Sequence, residues 1–157
     1  MPAVSGSTHT LVEIQALIAE YWSTVDRLSD VQRSSASFYV EHGEMLLGSL
    51  EVRGRKQIDE FFRARNAREI ANSRTTRHLA GNLRVHDESP DRATARALML
   101  VYSGTGAGPL PSEAPSAIGD FTFQCVRDAA HGWLFERVSG TSVFVGAGAP
   151  EFAKTST

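Results

Sequence analysis

The stretch Thr75–Ser103, TTRHLAGNLRVHDESPDRATARALMLVYS, sets how the rest of the chain is read. Two strand-like runs, Thr75–His86 and Arg92–Ser103, flank the turn-rich DESPDR, and runs bounded in this way predict strands. Downstream the pattern repeats, with Ile118–Arg127 and Trp133–Val145 separated by DAAHG. Upstream the period changes. Leu11, Ile14, Leu17, Ile18, Tyr21, Val25 and Leu28 recur at three- and four-residue spacings, which marks an amphipathic helix. Thr10 followed by Glu13 has the form of a capping box at its start. A shorter helical turn is expected through Ser29–Phe38, and a strand over Glu44–Val52 that stops at Arg53–Gly54. A further helix is expected from Arg55, with Ile58, Phe61, Phe62 and Ile70 as its partial apolar face. Helical segments followed by a run of strands predict an α+β domain with a mainly antiparallel sheet.

With 157 residues and neither an internal repeat nor a linker, one domain over 1–157 is expected, and a domain of that size buries roughly 70% of its unfolded surface. Its core should span about residues 10–145. The segment Gly104–Ser116, GTGAGPLPSEAPS, reads as a long exposed loop or lid, and 146–157 as a flexible tail. Sixteen basic and eighteen acidic residues leave a net charge of -2, so no global field favours nucleic acid or an acidic membrane surface. The basic residues between Arg53 and Arg77 read as a solvated helix face. A single cysteine, Cys125, excludes an internal disulfide. The opening MPAVSGSTHT has no Lys or Arg and no apolar run, and no stretch reaches the length of a membrane span, so a cytoplasmic setting is the expectation.

There is no glycine-rich phosphate loop, no nucleophile elbow, and no Cys or His pair at metal spacing; the expected metal complement is none. Two residues stand out for proton chemistry. Asp26 sits at the edge of the first helix's apolar stripe, one turn after Trp22, near an end where negative charge is disfavoured. A plain surface aspartate is the alternative. His78 shares a strand face with Thr76 and Ala80; it is the best proton acceptor available at neutral pH, with a satisfied core or surface histidine as the alternative. Strict alternation puts Arg137 on one face with Trp133 and Phe135, which means either a cavity-directed guanidinium or an exposed edge. Arg127, beside the DAAHG turn, carries the same ambiguity.

Taken together, Tyr21 and Asp26 on the first helix, Gly54-Arg55-x-x-Ile58-x-x-Phe61, His78-x-x-x-Asn82 and the closing Gly132-Trp133 strand ending in Arg137 resemble the SnoaL-like, nuclear-transport-factor-2-like superfamily from about residue 10 to 145. The nearest likeness is to scytalone dehydratase, bile-acid 7α-dehydratase and hexachlorocyclohexane dehydrochlorinase. The resemblance implies a curved sheet wrapped over helices around a cone-shaped cavity, and a cofactor-free lyase or isomerase in which His78 and Asp26 form the proton-abstracting pair. It places Tyr21 where the dehydratases have a tyrosine and the dehydrochlorinase a lysine, and it makes Arg137 or Arg127 the pocket arginine. Trp22, Met45, Met99, Phe123 and Phe135 are the expected lining, which suits a hydrophobic small-molecule substrate. A homodimer or homotrimer is expected, with Val101 or Phe144 at the contact. One fold hosts many chemistries, so a non-catalytic binding domain or an accessory subunit stays open.

Overall fold

A computed structural model of the chain describes residues 7–29 and 33–155. Helix α1 spans Thr8–Arg27, and its cap is Ser7, whose hydroxyl accepts the Thr10 N–H at 3.1 Å. The expected Thr10/Glu13 capping box is therefore not formed. Glu13 reaches away from the helix, accepting from Trp133 Nε1 at 2.9 Å and Arg127 at 2.7 Å. Ile14, Leu17, Ile18, Tyr21, Trp22 and Val25 form the buried stripe that the spacing predicts, and the helix stops at Leu28 in the left-handed region. The turn expected through Ser29–Phe38 reduces to a 3-10 turn over Ser35–Phe38, and positions 30–32 lie outside the described residues.

The single strand expected over Glu44–Val52 is a hairpin, β1 (Tyr39–Leu47) and β2 (Leu50–Arg53). Gly48, with φ of 57°, makes the turn between them, a conformation that glycine adopts at little steric cost. Helix α2 (Arg55–Ala71) follows. Its buried positions are Ile58, Phe62, Asn66 and Glu69, whereas Ile70 is 61% exposed. At 100° per residue Glu69 lies about 20° around the helix from Ile58 and Ile70 about 120°, so the stripe continues through polar residues and Ile70 falls off it.

The remaining strands are β3 (Arg74–Ser89), β4 (Arg92–Thr105), β5 (Ala117–Asp128) and β6 (Gly132–Val145). The six strands form one sheet in the order β2-β1-β6-β5-β4-β3. Every pair is antiparallel except β1 with β6. The two helices pack on one face of this mixed sheet, with Tyr21, Phe38, Tyr39, Ile58, Phe123, Phe135 and Val138 buried between. Each such side chain contributes roughly 1.5–3 kcal/mol of burial.

One irregularity decides which side chains face inward. In the β5·β6 ladder Cys125 pairs with Phe135 but Gln124 pairs with Arg137, so Glu136 is an extra residue on β6. A bulge of this kind inverts the alternation beyond it. Phe135 and Val138 are fully buried, and Arg137 turns out to the far side, where it pairs with Glu44.

Candidate active site

The helices and the inner sheet face enclose a cavity of about 820 Å³. Its walls come from Trp22 and Val25 of α1, Phe61 and Phe62 of α2, Met45 of β1, His78 of β3, Met99 of β4 and Phe121 of β5. Gly140 matters here: a Cβ on it would stand 2.5 Å from the Phe121 ring, so any larger residue would push that ring from its place in the cavity wall.

His78 and Asp26 meet at the α1–β3 wall. Asp26 is one residue from the end of α1, and its Oδ1 lies 2.6 Å from His78 Nδ1 while its Oδ2 accepts the His78 backbone N–H at 2.9 Å. Two bonds from one strand position explain a negative charge at the unfavourable end of the helix. Because a carboxylate only accepts, Nδ1 donates to Asp26, which leaves Nε2 as the nitrogen available for proton transfer. Both side chains are nearly out of solvent, at 12% and 9% exposure. Trp22 stacks on the imidazole, ring centroids 4.2 Å apart and planes 13° from parallel. His78 and Trp22 border the cavity and also a smaller groove outside it, whereas Asp26 borders only the groove. Viewed from the cavity, Asp26 stands behind His78.

The other expected site residues divide. Trp22, Met45 and Met99 line the cavity. Tyr21 reaches its wall, but the phenol is buried and bonded to Tyr39 at 2.8 Å, with Met45 Sδ at 4.0 Å. Burial pushes both phenols above the ordinary tyrosine range, so each stays protonated. Phe123 and Phe135 are fully buried core outside the cavity lining, with the Tyr21 ring centroid 5.1 Å from that of Phe135 and Phe123 packed against Phe121 and Phe135. Neither expected arginine is at the cavity: the bulge turns Arg137 out to Glu44 at 2.6 Å, and Arg127 lies over the Trp133 ring and pairs with Glu13. Val101, expected on an outer contact face, is a cavity residue, while Phe144 is outside and 65% exposed.

Three features escape a reading of the sequence. Tyr39 precedes the point where periodicity starts the strand. The α2 end of the cavity carries Arg65, Arg68, Glu69, Asn72 and Arg74, in the run read as a solvated face. Glu69 is buried and holds Arg74 at 3.0 Å and Arg68 at 3.4 Å. Thirdly, the segment after β6, expected to be a flexible tail, is tied across the cavity as far as Thr155. Gly148 O accepts from Arg74 at 2.5 Å, Phe152 O accepts from Ser49 N at 3.1 Å, and Ala149 is buried. The loop at 106–116 is mostly exposed, and only its last residue, Ser116, is buried, held by two bonds to Val101 O.

Comparison with known proteins agrees with this architecture. A family model described as a SnoaL-like domain matches residues 7–139. Among solved structures, a protein described as a candidate aromatic ring hydroxylase from Novosphingobium aromaticivorans superposes with a TM-score of 0.74 at 22% identity, covering 95% of this chain and 99% of that one. ActVI-ORFA from Streptomyces coelicolor gives a TM-score of 0.74 at 17% identity, covering 88% and 98%. A candidate scytalone dehydratase from N. aromaticivorans gives 0.68 at 17% identity, covering 90% and 97%. At these identities the likeness shows the fold alone. No curated protein gave a significant sequence match.

Proposed function

The chain belongs to the family of SnoaL-like domains, and from that premise we propose that it is a lyase or isomerase that removes a proton from a hydrophobic small molecule with its own His78/Asp26 pair. The observation that carries this reading is a histidine at the wall of a mostly apolar cavity, with one ring nitrogen locked by a carboxylate at 2.6 Å.

In the proposed step Nε2 of His78 takes a proton from a carbon next to an electron-withdrawing group. Asp26 holds the tautomer and stabilises the imidazolium that results, and the Trp22 face adds attraction for that cation. The released electron pair either expels a leaving group from the neighbouring carbon or returns to another carbon with the proton carried by His78. The first outcome is elimination, the second isomerisation. Tyr21 and Tyr39, both neutral, supply a hydrogen-bonded pair behind the cavity wall.

Exchange of the α-protons of a hydrophobic ketone such as 2-tetralone in heavy water tests the reading without a known leaving group. The wild type should exchange well above the buffer rate, and His78→Ala should lose most of that excess. Binding of the ketone without any accelerated exchange would establish the non-catalytic binding domain instead.

The reading also includes a homodimer or homotrimer. Leu79, Leu100, Ile118 and Phe144 are paired in register across four strands on the face away from the cavity, and Leu79 and Phe144 are more than half exposed. A continuous apolar row of that kind marks a contact surface. Light scattering that finds a monomer at tens of micromolar would overturn the assembly.

A further inference from the structure

The charges at the α2 end of the cavity do not balance. Arg65, Arg68 and Arg74 line this wall with one buried carboxylate, Glu69, among them. Two of the three cations are committed. Arg74 binds Glu69 at 3.0 Å, Ser103 at 2.9 Å and Gly148 O at 2.5 Å, which uses it as the latch for the segment after β6. Arg68 lies at the rim, 61% exposed, beside Glu69 at 3.4 Å.

Arg65 is different. It projects from the cavity side of α2, one turn before Glu69, and it has no ion pair among the described residues. One of its five donors makes a good bond, Nη1 to Val25 O at 3.0 Å, and a second contact, to Asn66 Oδ1, is at the limit of 3.5 Å. That bond ties α2 to the end of α1, one residue from Asp26. Burial is the first influence on Arg65 and lowers its pKa, while Glu69, Asp26 and Tyr21 raise it. A guanidinium nevertheless keeps its charge in proteins. A cation drawn out of water without a bonded carboxylate is stabilised by an anion that enters beside it, and a planar fork of donors suits a carboxylate or an enolate-like oxygen.

We propose that Arg65 is the seat for an anionic group of the ligand, so that the cavity takes hydrophobic molecules bearing a carboxylate or comparable oxyanion. This rests on the reading of the cavity as a small-molecule site and adds the class of molecule. Arg65 on α2 and His78 on β3 are both tied to the last turn of α1: one bonds Val25, the other Asp26. A ligand anchored by its anion at Arg65 therefore presents its neighbouring carbon framework toward His78.

The test compares two flat probes of one shape, 1-naphthoate and 1-naphthamide, by calorimetric titration of the full chain. The wild type should bind the anion about tenfold tighter, the discrimination expected of one charge-assisted pair in a partly solvated site. Arg65→Gln should abolish the preference, with an unchanged circular dichroism spectrum and melting profile showing that the variant is folded. Arg65→Lys should retain most of the preference, and His131→Ala, in the exposed turn outside the cavity lining, all of it. Equal binding of the two probes to the wild type, or a preference that survives in Arg65→Gln, overturns the assignment to Arg65 and leaves the small-molecule cavity standing. Saturation by neither probe at millimolar concentration overturns the cavity reading and Arg65 with it.

Discussion

Two histidine–aspartate pairs, one buried and one in a turn, have almost the same length. His78 Nδ1 and Asp26 Oδ1 are 2.6 Å apart, and His131 Nδ1 and Asp128 Oδ1 are 2.8 Å apart. The first joins a helix to a strand 52 residues away, both side chains nearly excluded from solvent and the imidazole sandwiched against Trp22. The second lies three residues apart in the turn between β5 and β6, with side chains 70% and 43% exposed. In the turn the aspartate also accepts the backbone N–H groups of Ala130 and His131, so the pair serves the turn's own backbone. The distance between a base and its carboxylate therefore says little about function. What separates the two is whether the histidine lines a cavity and whether water is kept from the charge that forms.

His78→Ala should reduce ketone α-proton exchange by about 10²- to 10⁴-fold, and Asp26→Asn by a similar order, with the double variant no worse than the worse single one because the two act as a unit. His131→Ala and Asp128→Asn should leave the rate within about twofold. Equal losses at both pairs would mean that the effect is on folding and that the cavity pair has no special part.

The buried pair was partly legible in the sequence because each member obeys a simple period. Asp26 continues the α1 wheel from Trp22, and His78 alternates with Thr76 and Ala80 on a strand whose first irregularity comes only after Gly81. The remainder of the site depends on departures from period. Strict alternation put Arg137 beside Phe135, and one extra residue in the ladder, Glu136, reversed it. Phe123 and Phe135 have the right chemistry for a wall, yet they lie one layer too deep, a matter of three-dimensional thickness that no spacing encodes. Arg65 and Glu69 were hidden because mixed charge on a helix is ordinarily a solvated face. The helix outlasts the core beneath it, so its last turns border a cavity. The segment after β6 was hidden by composition: glycine and proline suggested mobility, while the bonds from Arg74 and Ser49 are long-range.

The next effect sharpens the contrast by removing the shelter of His78. Trp22 is 6% exposed and stacked on the imidazole, a cover that His131 lacks among the described residues. Trp22→Leu should lower stability by about 2–4 kcal/mol, as large-to-small core substitutions do. In a domain of this size that is a fall of roughly 5–15 °C in melting temperature. Proton exchange measured well below the new midpoint should fall as well. An unchanged rate would mean that the indole only fills space.

A third histidine–carboxylate contact ranks next. His9 and Glu13 are 3.3 Å apart with His9 80% exposed. Glu13 nevertheless sits below the ordinary carboxylate range, chiefly through the Trp133 hydrogen bond, with Arg127 assisting and His9 contributing least. Glu13→Gln should cost about 1 kcal/mol by weakening those two bonds, and His9→Ala a small fraction of that. The sign follows from the depressed folded pKa: the contribution is present at neutral pH and is lost as pH falls through the carboxylate range. Chemical denaturation at pH 7 and at pH 3 checks it, and a gap between wild type and Glu13→Gln that persists unchanged at pH 3 would assign the loss to packing.

The smallest effect belongs to the turn pair. Asp128 is depressed below the usual carboxylate range, first by the His131 side chain and then by the Ala130 amide, with the His131 amide adding less. In His131→Ala the largest of these influences is gone and the backbone bonds remain, so the Asp128 carboxyl, followed by carbon-13 NMR through an acid titration, should move partway back toward the ordinary range. A lowered folded pKa stabilises the turn above the unfolded pKa and ceases to do so as the pH falls through the folded one. At this exposure solvent screens the pair, so a thermal melt at neutral pH should hardly distinguish the variant from the wild type. The site-specific titration is the measurement that can see it. If Asp128 titrates in the ordinary range already in the wild type, the turn pair does not form in solution, and of these two pairs only the one from which the fold excludes water, Asp26 with His78, keeps its short distance.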